Sequence, residues 1–225
     1  MDKTSQFTAQ GLRKQFQAIP KERRDANQAF SIRIWRGLSW LERAEQATDA
    51  DEQFIALWIA FNAIYGRADG EGGSPGPDGR PGDRATWQAF LAEIVKLDGT
   101  DILGDLVRRN QMPVLRMIQN KYLFRPFWDQ RPNAEGALKQ CCTAAVVNLA
   151  NHLTTGIVEE LFERLYVLRA QVFHGAATRG SKLNRANLRN GAELLSKLLP
   201  AMITIMLAAG PETDWGDVCF PPIKE

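Results

Sequence analysis

Apolar residues recur at intervals of three and four along Ile157, Leu161, Leu165, Leu168 and Val172, a spacing that lays them in one stripe down a helix. The same period joins Phe30, Ile34, Leu38 and Leu41, where Trp35 and Trp40 widen the apolar face. Strong alternation of apolar and polar residues, the mark of a half-buried strand, occurs nowhere in the chain. The fold class that follows is all-α, an up-and-down bundle of amphipathic helices.

The pattern predicts helices over about 26–47, 49–66, 86–97, 101–120 with a break at Pro113, 134–153, 157–173 and 184–208. Asp49 and Asp51 provide the start of the second of these and Gly66 its end. Residues 67–83 hold too many glycines and prolines to stay helical and too few apolar groups to pack, so a mobile loop is expected there. No Gly-Lys-Ser/Thr follows those glycines and no apolar strand precedes them, which argues against a nucleotide-binding loop. Residues 67–133 then read as a loop and helical insertion between the second and third core helices of one domain covering 25–210.

Two terminal pieces flank that domain. Residues 1–24 form a basic polar segment, with Arg13, Lys14, Lys21, Arg23 and Arg24 diluted by Asp2 and Glu22, and read as a solvated tail or an RNA-guiding arm. Residues 211–225 form a tail expected to dock on the bundle through Trp215 and Phe220. A chain of 225 residues with 44% hydrophobic content can bury one sizeable core. Its net charge of +2 is too small for nucleic-acid binding by bulk charge, so any RNA contact depends on local clusters. Cys141, Cys142 and Cys219 lack metal-ligand spacing and leave one thiol over in any pairing, which points to a reducing, cytoplasmic setting. No apolar leader is visible, the longest apolar run falls short of a membrane span, and neither a metal nor a cofactor is expected.

The chemistry-bearing motif closes the penultimate helix: Arg169-Ala-Gln-Val-Phe-His174-Gly175. A guanidinium can hold the charge that builds on a phosphoryl oxygen, and an imidazole can move a proton near neutral pH. Gly175 offers the left-handed cap that ends the helix. Five residues of ideal helix rotate by roughly 140 degrees, so a single rigid helix does not converge the two side chains, and the helix is expected to loosen around His174.

A second segment, Phe54-Ile-Ala-Leu-Trp-Ile-Ala-Phe-Asn-Ala-Ile-Tyr-Gly66, lies about a hundred residues upstream. Together the two segments resemble the HEPN domain family, small helical bundles whose nuclease members carry Arg-x(4 to 6)-His at the end of a core helix. The resemblance implies a homodimer in which two motif helices meet, with Arg169 and His174 catalytic in a metal-independent endoribonuclease. It also implies roles such as toxin or phage-defence effector, RNA as the partner, and a cognate antitoxin or inhibitor protein.

Asn62 and Tyr65 match the family segment and are supporting candidates. Tyr166, one turn before Arg169, and Gln171 are two more. Lys121 and Arg125 sit among aromatics in Lys121-Tyr-Leu-Phe-Arg-Pro-Phe-Trp128, a mixture that suits RNA binding or a lid over the core. His152 reads as structural. Ala170 stands where family nucleases often carry a polar residue, and Ala176 where some family toxins carry a modified tyrosine. The alternative is therefore a non-catalytic HEPN module that dimerises and binds a nucleotide, RNA or partner protein.

Overall fold

The computed structural model describes residues 5–68, 82–176, 178 and 184–223. Among them every regular element is helical: α1 (Ala9–Ala18), α2 (Lys21–Ala26), α3 (Gln28–Glu45), α4 (Ala50–Tyr65), α5 (Asp83–Leu97), α6 (Ile102–Arg109), α7 (Gln111–Ile118), α8 (Arg125–Trp128), α9 (Ala134–Ala150), α10 (Thr154–Phe173) and α11 (Arg185–Ala209). The all-α class read from the periodicity is the observed one. Most of the stretch expected as a mobile loop, residues 69–81, lies outside the described residues.

Helix starts follow local chemistry. Asn27 caps α3 by accepting from the Phe30 amide at 2.8 Å, and Asp49 caps α4 by accepting from the Glu52 amide at 2.8 Å. Asp51 in the first turn of α4 is ion-paired with Arg185, the first residue of α11, which fastens the two helices at one end. α4 packs most extensively between α3 and α11, while α10 meets α5, α7 and α9. Phe54, Leu57 and Phe61 of α4 are fully buried in this core. The Phe61 ring lies 4.6 Å from both Tyr65 and Phe162, which welds the end of α4 to α10.

The N-terminal segment and the break near Pro113 differ from the sequence reading, and burial is spread unevenly over the helices between them. The basic N-terminal segment is not a solvated tail over its whole length: Ala9, Leu12 and Phe16 of α1 are fully buried. Those three residues are one apolar stripe spaced by three and four, hidden in sequence by the polar residues around them. The region read as an insertion contributes to the core, since Trp87, Leu91 and Ile94 of α5 and Met117 and Ile118 of α7 are buried. α9, by contrast, buries only Ala145. The break expected at Pro113 falls at Asn110, and Pro113 lies in the first turn of α7, where a missing amide costs no helical hydrogen bond.

α11 is the one helix among the described residues long and apolar enough to cross a membrane, and 67% of its most apolar window is buried inside the bundle. It is a core helix, carrying Leu195, Leu199, Met202 and Met206 against its neighbours. Beyond Gly210 the chain returns along α3. Arg33, fully buried, donates to the carbonyls of Trp215 and Gly216 at 3.0 Å each and of Asp217 at 3.3 Å. The same guanidinium donates to Ile64 O at 3.1 Å and Gly66 O at 2.6 Å, so one side chain ties α3, the end of α4 and the C-terminal tail together. Burial pushes its pKa down to about 10.

Candidate functional site

Three helix ends and the tail converge on one face. α4 finishes with Asn62 and Tyr65, and Gly66 stops it by donating its amide to Asn62 O at 2.8 Å. A Cβ on Gly66 would sit 2.7 Å from that same carbonyl oxygen, so the close of this turn excludes any side chain. α5 begins at Asp83, and the last turns of α10 bring Tyr166 and Arg169.

Asp83 organises the junction. Tyr65 donates its hydroxyl to one carboxylate oxygen at 2.7 Å and Tyr166 donates to the other at 3.0 Å. Burial, followed by the charge of Asp83, raises both tyrosine pKa values, so the two hydroxyls stay protonated and serve as donors. The Arg169 guanidinium lies 5.9 Å from the Tyr166 ring centroid and 5.0 Å from that of Phe173, a seat of aromatic faces. Its Nε is buried without a hydrogen-bond partner.

Arg169, Asn62 and Tyr65 line one groove of about 600 Å³ together with Arg36, Arg67 and Asp83. Trp40 lines it from α3, and Val218, Cys219 and Phe220 from the tail. Three guanidinium groups thus face a lining with one carboxylate, and that carboxylate already accepts from two tyrosines. Asn62 adds a buried Oδ1 with no partner. An anion with hydroxyl groups, such as a ribose phosphate, matches that set of charges and acceptors.

His174 stands elsewhere. α10 ends at Phe173, His174 caps it with backbone angles of −92° and 11°, and Gly175 follows at a left-handed φ of 72°. The imidazole is exposed and is not among the residues lining the groove of its own chain. α10 stays helical through Phe173, and Arg169 lines the groove while His174 does not.

The remaining candidates do not join the groove. Gln171 donates to Tyr122 O at 2.8 Å and accepts from the Asn184 amide group at 2.9 Å, a tie between α10 and the segments on either side of it. Lys121 lies over the Tyr122 and Phe127 rings at 5.1 and 5.7 Å, and Arg125 pairs with Asp129 at 2.8 Å. Next to them Leu123 and Phe124 are buried, while Tyr122 and Trp128 are exposed. His152 is beside Arg108, its Nδ1 3.3 Å from a guanidinium nitrogen that belongs to a cluster with Asp101 and Asp105.

Sequence reasoning missed Asp83, Arg36, Arg67 and the tail wall. Asp83 closes the glycine- and proline-rich stretch, and its position as the first residue of α5, where an acid suits the helix dipole, was the available signal. Arg36 and Trp40 share one face of α3 by their four-residue spacing, but nothing local shows that the tail covers that face. Among the described residues no three His, Cys, Asp or Glu side chains gather as a metal site would require. No protein-family model, no curated protein and no solved structure matches this chain.

Proposed function

We propose that the chain is a metal-independent endoribonuclease, acting as a homodimer on RNA. The observation that carries the reading is Arg169: a guanidinium seated on two aromatic rings, without a hydrogen bond or ion pair among the described residues, facing a groove rich in cations. A cation held ready but not neutralised is what a phosphoryl oxygen requires when its charge grows. The exposed His174 at the end of the same helix supplies the proton carrier at a surface another copy can reach.

In the reaction, an imidazole takes the proton of a ribose 2′-hydroxyl, and the freed oxygen attacks the adjacent phosphorus. The bond to the 5′-oxygen breaks, and that oxygen receives a proton from a second protonated group in the cleft. Arg169 holds the negative phosphorane. The products are a 2′,3′-cyclic phosphate and a 5′-hydroxyl, and DNA survives because it lacks the nucleophile. General acid–base help contributes about two to four powers of ten and the charge clamp a comparable factor. A toxin or phage-defence role in the cytoplasm, held in check by an inhibitor protein, suits such an activity.

The test is incubation of the purified protein with structured and unstructured RNA in excess EDTA. Cleavage giving cyclic-phosphate ends, lost in Arg169→Ala and in His174→Ala while both variants stay folded, supports the proposal. Intact RNA with the parent protein across about pH 6 to 8 overturns it. A second reading has its own observation: Ala170 follows the motif arginine and His174 lies outside the groove lining, as a non-catalytic module that binds a nucleotide or RNA phosphate would allow. RNA that binds the groove and is never cut selects that reading.

A further inference from the structure

Two aromatic side chains stand at the walls of the groove, and the mechanism above uses neither. Trp40 on α3 is 39% exposed, and Phe220 on the tail is 78% exposed, more than packing alone would leave in either. Phe220 is also fixed in place. Its φ of 47° is left-handed, a conformation that a bulky residue adopts only when its surroundings hold it there. Arg36 provides the hold by donating to Cys219 O at 2.8 Å and Phe220 O at 2.6 Å. Because Arg36 precedes Trp40 by one helical turn, the bond that pins Phe220 also sets it on the Trp40 side of α3.

No ring contact joins Trp40 to Phe220 among the described residues, and both line the same groove. Its volume of about 600 Å³ is of the size that takes one small ligand. Aromatic faces give sequence-tolerant stacking to any base, and the guanidinium groups of Arg67 and Arg169 on the same lining give a phosphate its place. Asn62 Oδ1, buried and unpartnered, gives a ribose hydroxyl its acceptor. Base, sugar and phosphate each find their own partners within one groove.

We infer that Trp40 and Phe220 form a nucleobase subsite, which seats one base of a single-stranded RNA and sets its phosphate on Arg169. This deepens the proposed ribonuclease reading and rests on it for the identity of the ligand. It makes the tail part of the binding site, and it selects unpaired RNA, because a base stacked in a helix cannot enter between the two walls.

The experiment measures, by anisotropy, binding of a fluorescein-labelled all-ribose hexanucleotide to the full-length chain carrying His174→Ala, the parent for this comparison, which keeps the groove lining while the proton carrier is absent; cleavage is scored separately on the unaltered chain. Phe220→Ala and Trp40→Ala each weaken binding roughly five- to a hundredfold, and Phe220→Trp and Trp40→Phe restore it. An abasic hexamer of the same backbone binds the parent and Phe220→Ala alike. Unchanged far-UV circular dichroism and melting in the variants separate this loss from unfolding. The subsite is overturned if both alanine variants bind as the parent does, if the aromatic replacements fail to restore binding, or if the parent binds no hexanucleotide. Aromatic-dependent binding together with uncut all-ribose RNA sinks the nuclease reading alone, and cleavage with alanine-insensitive binding sinks the subsite alone.

Discussion

Tyr65 donates its hydroxyl to Asp83 at 2.7 Å, joining the last residue of α4 to the first residue of α5 across the glycine- and proline-rich stretch. With Tyr166 on the other oxygen at 3.0 Å, this carboxylate is the point where three helices are registered and where Arg169 gets its aromatic seat. Asp83→Ala leaves the buried Tyr65 and the half-buried Tyr166 without the acceptor of their hydroxyls. It is expected to lower the unfolding free energy by about 2 to 4 kcal/mol, since hydrogen bonds to a charged group count for more than neutral ones. Urea denaturation of the variant measures it, and a loss under about 0.5 kcal/mol would show that the junction holds without the carboxylate.

The two tyrosines also fix a pH dependence. Both pKa values are raised above the ordinary 10.0, so between that value and the folded pKa the folded state keeps protons that the unfolded chain releases. Their stabilisation is complete below about pH 10 and falls as the pH rises through and beyond it. Arg33 acts in the opposite sense, because its pKa is lowered from 12.5 to about 10, and its unfavourable burial eases as it loses its proton. The informative quantity is the difference between parent and Tyr65→Phe. Urea midpoints measured from about pH 8 to 11 should fall less steeply in the variant, and equal slopes would exclude Tyr65 as the source.

Much of the frame was legible because helical periodicity is a local property. α3, α4, α10 and α11 follow the expected spans to within a few residues, since each carries a long apolar stripe and a capping or stopping residue. α1 was illegible because a stripe of three residues, Ala9, Leu12 and Phe16, does not stand out among so many charges. The site divides in the same way. Asn62, Tyr65 and Arg169 could be picked from their motifs, and they line one groove. Arg36, Arg67 and Phe220 could not, because what makes them wall residues is a tail contact that spans some 180 positions, as in the Arg36 bond to Phe220. Lys121, Arg125 and Gln171 had suitable chemistry in sequence, and each is engaged by neighbours outside the groove.

Arg33 makes the tail part of the fold. Its five carbonyl acceptors span the end of α4 and residues 215–217, so a neutral replacement strands several buried acceptors at once. Arg33→Met is expected to cost about 3 to 5 kcal/mol and to free the tail, because each stranded group carries its own desolvation penalty. Limited proteolysis should then cut after about residue 210 in the variant under conditions that leave the parent whole, while an uncut tail would mean that Trp215 and the Arg36 bonds to Cys219 and Phe220 hold it without Arg33.

Asn62 separates binding from folding. Its Oδ1 is buried without a partner, which a purely structural asparagine would avoid. Asn62→Leu removes that unsatisfied acceptor while keeping similar volume, so thermal stability should hold or rise by up to about 1 kcal/mol. RNA cleavage should fall at least about tenfold, because the groove loses the acceptor that receives a ribose hydroxyl. Stability that drops while cleavage persists would reverse the assignment.

The position of His174 sets the strictest test of a shared site. In its own chain the imidazole is exposed past the end of α10, outside the groove that Arg169 faces, so an imidazole reaching that groove comes most directly from a second copy. Arg169→Ala and His174→Ala homodimers should each lose about two to four powers of ten in cleavage rate. Mixing and exchanging the two variants produces heterodimers, about half of the population, in which one subunit keeps its arginine and the other its histidine. A site built across the interface regains activity in that mixture, in proportion to the heterodimer fraction measured by native mass spectrometry. A site that needs both groups from one chain stays silent at every mixing ratio, and that silence would refute the composite cleft while leaving the arginine groove as a binding site.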